Sequence, residues 1–406
     1  MHNVTTSEPS SAVPNHPGVP TVPLLDLARE YAQIAPEVMA AVDAVFRNQR
    51  FVLGPEVAEF EQAAARHCGG TQAVGCGSGT DALWLAMAAT GIQPGDRVLT
   101  TAFSFFSTAS SILRLGATPV LADIDPRTCN LDPQAAAAAL QKHPSTRAIL
   151  PVHLYGQCAD WTALTKAAGA CNCLLIEDAA QAFGGRWGGI PAGALGAAAA
   201  FSFYPTKNLS AAGEAGMVTT PSEAIARRVR SLRAHGMEVR YYHEEIGWNS
   251  RLDTLQAAVL LVKLRHVEEW TERRRALAVR YDELFSAAGV VARGPYPEHG
   301  LVLPWVDPRA HHVFHQYVIR VARRDELRQW LTRHGIGSEV YYPLALHQQK
   351  ALASLGYRNG DFPESERAAR EVLALPIFPQ LRDDEQERVV ATICDYFQQN
   401  RDSSHK

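Results

Sequence analysis

Short apolar runs alternate with segments of helical periodicity through the middle of this chain. Each apolar run spans about five to seven residues, a length typical of strands. The predicted strands are QAVGCGS, DRVLTTAF, TPVLADID, TRAILPVHLYG, CLLIEDAAQ, AAAFSFY and GMVTT. The helices predicted between them are DALWLAMAAT, FSTASSILRLG, DPQAAAAALQKH and DWTALTKAAGA. This alternation predicts an α/β fold, with a mainly parallel sheet sandwiched by helices.

The two ends of the chain follow different patterns. Residues 1–20 are rich in Ser, Pro and Thr, which predicts a disordered N-terminal tail. After the last predicted strand, a long helical stretch runs from Arg251 to Gly289, and a smaller α+β pattern follows it. We therefore predict a large α/β domain over residues 21–265 and a small C-terminal α+β domain over residues 266–406.

Composition and charge narrow the classes of function. The 406 residues carry a net charge of -3, which gives no electrostatic reason to expect nucleic acid or an anionic membrane as a partner. No apolar run approaches the ~20 residues that span a bilayer, and the first residues lack a signal-peptide pattern. The seven cysteines include no CxxC pair and are typical of reduced thiols. These features predict a cytoplasmic protein.

A glycine-rich turn, Gly77 to Asp81, lies between the first predicted strand and the next helix. Glycines let a backbone approach an anion closely, and the free N–H groups and dipole of a helix N-terminus bind phosphate. The turn matches neither a Walker loop nor GxGxxG, because Thr80 replaces the last glycine. By itself, it is explained equally well by a plain tight turn.

An acidic pair, Glu177 and Asp178, ends a predicted buried strand. Burying a carboxylate is costly unless a cation or hydrogen-bond donors are close to it. Gln181 brings an amide to the same loop. The alternative for Asp178 is a helix cap.

Lys207 lies in the stretch from Ser202 to Thr220, among neutral residues such as Ser, Tyr, Pro, Thr, Asn and Gly, in a chain where only six of 39 basic residues are lysines. A desolvated lysine has a lowered pKa and attacks carbonyl carbons. An ordinary surface lysine is the alternative, and the neutral neighbours weaken it.

Together these stretches supply a phosphate site, a carboxylate for a pyridinium nitrogen and an amine for an aldehyde. Those are the requirements of pyridoxal 5'-phosphate. The carboxylate would be that of Asp178 and the amine that of Lys207, which would also move protons. One ring among Phe103, Phe105 and Phe106 could stack on the cofactor's pyridine ring, and core packing is the plainer explanation for the other two.

In order and spacing, nine segments resemble the DegT/StrS-type sugar aminotransferases, a branch of the fold-type-I pyridoxal phosphate enzymes. The resemblance covers nearly the whole chain from Val22 onward. The segments are GSGTDAL, PVHLYGQ, EDAAQAFG, SFYPTKNL, GWNSRLDTLQAAVL, RRRALAVRY, FHQYVIR, PLALHQQ and LALPIFP.

This resemblance implies roles for individual residues. Lys207 resembles the lysine that binds the cofactor, Asp178 the partner of its ring nitrogen, and Gln181 the partner of its phenolic oxygen. The residues that resemble phosphate ligands or the stacking ring are Gly79, Thr80, Ser202 and Phe105. The resemblance also implies a homodimer with shared active sites, in which Asn249 reaches the phosphate of the neighbouring subunit's cofactor.

Four further residues match family segments that approach the substrate. They are Arg251, Tyr341, Tyr342 and His347, and packing is the alternative for the last three.

Two departures from the family pattern leave the substrate preference open. Phe183 stands where the family often has His, and Gly213-Glu214-Ala215-Gly216 stands where it often has Gly-Asp-Gly-Gly. No metal is expected, because the histidines of AHHVFHQ (His311, His312 and His315) have no carboxylate or cysteine at ligand spacing.

The expected reaction is transfer of an amino group from an amino acid, glutamate by resemblance, to a keto group of a nucleotide-linked sugar. A 3-oxo sugar is favoured over a 4-oxo sugar, because SRLDTLQAA and RYYHEEIGWNSR resemble that subgroup. One alternative is a sugar dehydratase that uses pyridoxamine phosphate, but such relatives carry His in place of the lysine. The other is a non-catalytic regulatory protein that retains the fold, and the complete cofactor set disfavours it.

Overall fold

The computed structural model describes residues 21–297 and 300–403, so the predicted disordered tail lies outside it. The helices are α1 (Leu27–Asn48), α2 (Pro55–His67), α3 (Gly79–Ala89), α4 (Ser107–Arg114), α5 (Pro133–Lys142), α6 (Trp161–Cys171), α7 (Glu223–Leu232), α8 (Thr254–Leu264), α9 (Val267–Ala287), α10 (Arg324–Arg333), α11 (Pro363–Glu371) and α12 (Asp383–Ser403). The strands are β1 (Gln72–Cys76), β2 (Arg97–Thr101), β3 (Thr118–Ala122), β4 (Thr146–Leu150), β5 (Leu174–Asp178), β6 (Arg186–Trp187), β7 (Ile190–Pro191), β8 (Ala198–Ser202), β9 (Gly216–Thr220), β10 (Met237–Val239), β11 (Tyr242–His243), β12 (Leu301–Val302), β13 (Ala310–His311), β14 (Tyr317–Val321) and β15 (Val372–Leu375).

All seven predicted strands form one sheet, in the order β1-β9-β8-β5-β4-β2-β3. Neighbours pair in parallel from β8 to β3, whereas β9 is antiparallel to both β1 and β8. The predicted α/β fold with a mainly parallel sheet is therefore confirmed. Because the parallel strands share a direction, their carboxyl ends meet at one edge of the sheet, where ligands bind in such folds.

Helices cover both faces of this sheet. On β4, Ala148 packs in the cluster that contains α3, whereas its neighbour Ile149 packs with Leu140 of α5 and Leu164 of α6. Successive side chains of a strand point to opposite faces, so burial on both sides produces the continuous apolar runs seen in the sequence.

A smaller unit follows, built on the antiparallel sheet β12-β14-β15. Its core joins Leu277 and Tyr281 of α9 to Ile319 of β14 and Ile393 of α12.

The N-terminal segment is attached to this unit as well. Val22 N donates to Gly335 O, and Gly337 N donates to Val22 O, each at 2.8 Å. The division near residue 265 stays a prediction.

The predicted continuous helix from Arg251 to Gly289 is wrong in detail, since it is two helices. Arg265 N bonds to Val262 O and His266 N to Lys263 O, so the last turn of α8 tightens and the helix ends. The break lets α8 pack beside α1 and α2 while α9 crosses into the core of the smaller unit. Within the described ranges, no helix is both long and apolar enough to cross a membrane.

Candidate active site

A cavity of about 920 Å³ opens at the carboxyl edge of the large sheet. Asp178 and Ser202, which line it, are the last residues of β5 and β8. The turn after β1 and the loop after β2 supply more of the lining. The structure therefore brings together Gly79, Thr80, Phe105, Asp178, Gln181, Ser202, Lys207 and Tyr342.

The N-terminus of α3 forms one wall of the cavity. Ser78 caps the helix by accepting a hydrogen bond from Asp81 N at 3.1 Å. Gly79 lies so close to β8 that an added Cβ would stand 2.5 Å from Ser202 Cβ, and a Cβ on Gly216 would collide with the Ser78 carbonyl. Only glycine fits at these two positions, and the first amides of α3 remain available for an anion.

Asp178 is buried and held by two donors. Thr108 Oγ1 donates to Asp178 Oδ2 at 2.7 Å, and Ala180 N donates to Oδ1 at 3.3 Å. The helix-cap alternative is wrong, because a turn follows Asp178 and the next element is the strand β6. Burial raises the pKa of Asp178, and these hydrogen bonds and Lys207 oppose the rise. A pyridinium nitrogen would supply the cation that this desolvated carboxylate favours.

A second buried carboxylate, that of Glu177, directly precedes Asp178 in the sequence. Glu177 is fully buried and accepts hydrogen bonds from the amides of Gly193, Leu195 and Gly196, at 2.8 to 3.0 Å. His153 Nε2 lies 3.1 Å from the same carboxylate. Glu177 therefore anchors the loop before β8, while Asp178 faces the cavity.

Gln181 is fixed in orientation by two hydrogen bonds. Its Oε1 accepts from Tyr155 N at 2.7 Å, and its Nε2 donates to the Tyr342 hydroxyl at 3.1 Å. The amide donor is thus directed into the cavity, as a partner of a phenolic oxygen must be.

The three phenylalanines after β2 occupy different environments. Phe105 is 56% exposed, and its ring centroid lies 5.9 Å from that of Tyr342 at the cavity. Phe103 packs in the core, as expected. The expectation of core packing is wrong for Phe106, which is 36% exposed at the N-cap position of α4.

Lys207 lies on the same wall as Ser202. Its backbone N–H donates to Tyr204 O at 2.8 Å, which makes the segment a tight turn after β8. Burial lowers the pKa of Lys207 to about 8, and the carboxylate of Asp178 opposes this shift. The amine is therefore partly neutral near physiological pH, as a nucleophile toward an aldehyde must be.

Several lining residues were missed by the sequence reasoning. Tyr204 and His315 belong to the segments SFYPTKNL and FHQYVIR, so those motifs could have marked them. Burial holds the pKa of His315 well below its usual value, so the imidazole is neutral. Thr108 and Arg328 had no local signal, because only packing brings them to the cavity.

Three predicted residues lie outside the cavity of their own chain. His347 is buried, with Nε2 3.0 Å from Glu366 Oε1, and does not line it. Asn249 and Arg251 flank Ser250, whose carbonyl accepts a hydrogen bond from Gly77 N in the turn that leads from β1 into α3 (the α3 turn). The role of Asn249 toward a neighbouring subunit and the contact of Arg251 with the substrate stay predictions.

The two departures from the family pattern lie in different places. Phe183 is buried and packs edge-on against Phe201 and Phe203, away from the cavity. Glu214 is exposed and lines the cavity, so it alone can bear on the substrate. Across the described part of the chain, no group of three or more His, Cys, Asp or Glu side chains is arranged to hold a metal ion.

These residues fit pyridoxal 5'-phosphate. The open α3 N-terminus beside Ser202 suits the phosphate, Asp178 the ring nitrogen, Gln181 the phenolic oxygen and Lys207 the aldehyde. The crowding at Gly79 supports this fit, because a side chain there would collide with Ser202, a residue of the predicted phosphate site.

We expect Gly79→Ala to raise the dissociation constant for pyridoxal phosphate about tenfold or more, because the new methyl group collides with Ser202. Titration of the apoenzyme with the cofactor measures this. Gly169→Ala in α6 is the matched control, since its Cβ would meet nothing within 4 Å. Equal affinity in the two variants would contradict the assignment.

We expect cofactor incorporation into the apoenzyme, trapped with borohydride, to speed up with pH with a midpoint near 8 and to level off about one pH unit above it. Lys207 is protonated and unreactive below that pKa. In Asp178→Asn the opposing negative charge is gone, so the pKa of Lys207 falls and the rise moves to lower pH. The surface variant Asp384→Asn should leave the profile unchanged. A midpoint above pH ~10, the range of an exposed lysine, would show that Lys207 is not desolvated.

Named proteins resemble this chain in sequence, and one solved structure resembles it in fold. A protein of Geobacillus stearothermophilus named "Pleiotropic regulatory protein" is 47% identical over 93% of this chain and 98% of its own length. The dTDP-3-amino-3,4,6-trideoxy-alpha-D-glucose transaminase of Streptomyces venezuelae is 41% identical over 93% of this chain and 96% of its own. The crystal structure of S. venezuelae DesV in complex with a ketimine intermediate superposes with a TM-score of 0.88, at 40% identity, over 93% of this chain and 99% of that one.

The sequence model of one family covers nearly all of the folded chain. It is described as the DegT/DnrJ/EryC1/StrS aminotransferase family, and it matches residues 32–394. This range includes the α3 turn, the acidic pair, Lys207 and most of the smaller unit. The chain therefore belongs to the DegT/DnrJ/EryC1/StrS aminotransferase family.

Proposed function

We propose that this chain is a pyridoxal-phosphate-dependent aminotransferase that transfers an amino group from glutamate to a 3-keto group of a nucleotide-linked sugar. The observation that carries the proposal is the position of Lys207. Its amine, with a pKa lowered to about 8, shares one cavity with the buried carboxylate of Asp178 and the open N-terminus of α3.

Different side chains of the protein have different roles in the proposed reaction. Bound pyridoxal phosphate supplies an aldehyde for the substrate amine and a ring that accepts electrons when a Cα proton leaves. Asp178 holds a positive charge at the ring nitrogen, and Thr108 keeps that carboxylate in place. Lys207 Nζ takes the proton and returns it, since a group with a pKa near 8 does both at neutral pH.

The substrate assignment rests on the sequence relatives. The S. venezuelae relative is named for a sugar that carries its amino group at carbon 3, which supports a 3-keto acceptor. The segments around Arg251 favour the same subgroup, and glutamate as the donor follows from the family resemblance.

The enzyme works as a homodimer in the cytoplasm, with active sites shared between subunits. Asn249 is exposed and lies outside its own chain's cavity, as a residue that serves the neighbouring subunit would. Its neighbour Ser250 braces the turn that leads into α3. In this arrangement, Asn249 of one subunit reaches the phosphate site of the other.

Two other functions are less well supported than the aminotransferase. The G. stearothermophilus relative's name favours a regulatory role, but a regulator has little need for a desolvated lysine beside a carboxylate. A pyridoxamine-dependent dehydratase is disfavoured by the presence of Lys207.

We expect the purified protein to show a yellow absorbance band that borohydride abolishes, and to form 2-oxoglutarate from glutamate with a nucleotide-linked 3-keto sugar. Lys207→Ala should lose the band and about 10²- to 10⁴-fold of the rate. Lys166→Ala, an exposed lysine on α6, is the matched control. A panel of UDP- and dTDP-linked 3-keto and 4-keto sugars measures the preference.

Two results would count against the proposal. A colourless wild type that takes up no pyridoxal phosphate would remove the enzyme assignment. A yellow protein that forms no 2-oxoglutarate with any sugar of the panel would remove the sugar assignment and leave the cofactor.

Shared sites predict complementation between inactive subunits. Lys207→Ala and Asn249→Ala should each be impaired alone, whereas their co-expression should restore about a quarter of wild-type activity. Half of the dimers are then mixed, and each mixed dimer has one intact site of two. Activity no higher than the sum of the two parent variants would exclude sharing through Asn249.

A further inference from the structure

The cavity extends beyond the cofactor-binding residues to a wall made by other elements. This wall combines α10 of the smaller unit with the segment 336–339 and the N-terminal residues Leu24 and Leu27. A substrate part that is remote from the reacting carbon would lie against it. The polar groups of the wall therefore indicate what that remote part is.

Arg328 is the main charged group of this wall. Of the described lining residues it is the sole arginine, and the other basic groups are Lys207, which serves the cofactor, and the neutral His315. Its Nη2 donates to Glu339 Oε1 at 3.0 Å, and both side chains are partly exposed, at 39% and 30%. A guanidinium carries five N–H donors, so most of its capacity is left for a ligand.

A second polar group of the wall is Ser338. Its Oγ is buried and has no hydrogen-bond partner within the described ranges. Buried hydroxyl groups normally have a hydrogen-bond partner, so we expect a ligand atom or a water molecule to bind to this oxygen. Glu339 is fixed beside it, because its Oε1 also accepts from Val340 N at 2.8 Å.

We propose that Arg328 and Ser338 bind the diphosphate of the nucleotide-linked substrate, and that Glu339 holds the guanidinium in place between turnovers. The inference rests on the proposed function and adds a specificity-determining residue to it. A diphosphate carries more negative charge than one carboxylate and accepts the planar guanidinium fork in bidentate fashion, so it displaces Glu339.

The amino donor is the less suitable occupant of this wall. Its α-carboxylate lies one bond from the reacting Cα and its γ-carboxylate three bonds from it, so both are held closer to Lys207 than a group beyond a sugar ring. The diphosphate of a nucleotide sugar is separated from the keto carbon by the sugar ring. The diphosphate would therefore reach the cation on α10, in the smaller unit, more readily than a group beside the α3 turn.

The test separates the two half-reactions in the holoenzyme. We expect Arg328→Gln to raise KM for the nucleotide sugar, and Kd for the free nucleoside diphosphate, about ten- to a hundredfold. The rate of the glutamate half-reaction, followed by loss of the yellow band, should change less than about twofold. Arg328→Lys should recover part of the affinity, because it keeps the charge but not the bidentate fork.

Two further variants test the competing charge of Glu339 and provide a control on the same helix. Glu339→Gln removes the competing charge while keeping an acceptor for Val340 N, so it should tighten nucleoside diphosphate binding about two- to fivefold. Arg333→Gln is the matched control, since Arg333 stacks on Trp330 of the same helix and does not line the cavity. It should change neither constant, and thermal unfolding of every variant checks that each is folded.

Three outcomes would overturn the inference. They are an unchanged nucleoside diphosphate Kd in Arg328→Gln, an equal loss in both half-reactions, and no nucleoside diphosphate binding by the wild type. If the wild type aminates no sugar but binds nucleoside diphosphates through Arg328, the anion site stands and the proposed sugar reaction fails. If the wild type aminates its sugar and Arg328→Gln does so equally well, the sugar reaction stands and the anion site fails.

Discussion

The close approach of α3 to the ends of β8 and β9 is the constraint on which the cavity depends. Gly79 and Gly216 have no space for a Cβ, because Ser202 and the Ser78 carbonyl stand where it would lie. This contact brings the helix N-terminus to the last residue of β8. The turn after that strand then carries Lys207, so the phosphate site and the reactive amine are placed by one packing arrangement.

The same edge of the sheet separates two carboxylates that are adjacent in sequence. Successive residues of a strand face opposite sides, so Glu177 and Asp178 diverge. The carboxylate of Glu177 accepts hydrogen bonds from three backbone amides and lies against His153, and these contacts fix the loop that leads into β8. Asp178 keeps fewer partners and faces the cavity. One carboxylate therefore stabilises the frame and the other remains available for a cationic ring.

The smaller unit completes the cavity from the other side. It contributes Tyr342, whose hydroxyl accepts from Gln181, and the wall that contains Arg328. The N-terminal segment at Val22 is bonded to the same unit, so an early and a late part of the chain meet beside the site. The lysine, the carboxylate and the glycine turn thus come from the large sheet, whereas the facing wall combines α10 and the segment 336–339 with the N-terminal segment.

The sequence by itself determined the seven strands, the helices between them, and the positions of the glycine turn, Asp178 and Lys207 at or after strand ends. Both signals are local, because a buried strand must be apolar and the turn, carboxylate and lysine each lie at or shortly after the end of such a strand. Only the tertiary structure decided the break between α8 and α9, the exposure of Phe106 and the position of His347 away from the cavity. It also decided that Thr108 supports Asp178 and that Arg328 lines the cavity. Contacts between residues far apart in the chain decide the positions of Thr108 and Arg328 and the separate packing of α8 and α9, and periodicity along one segment does not encode such contacts.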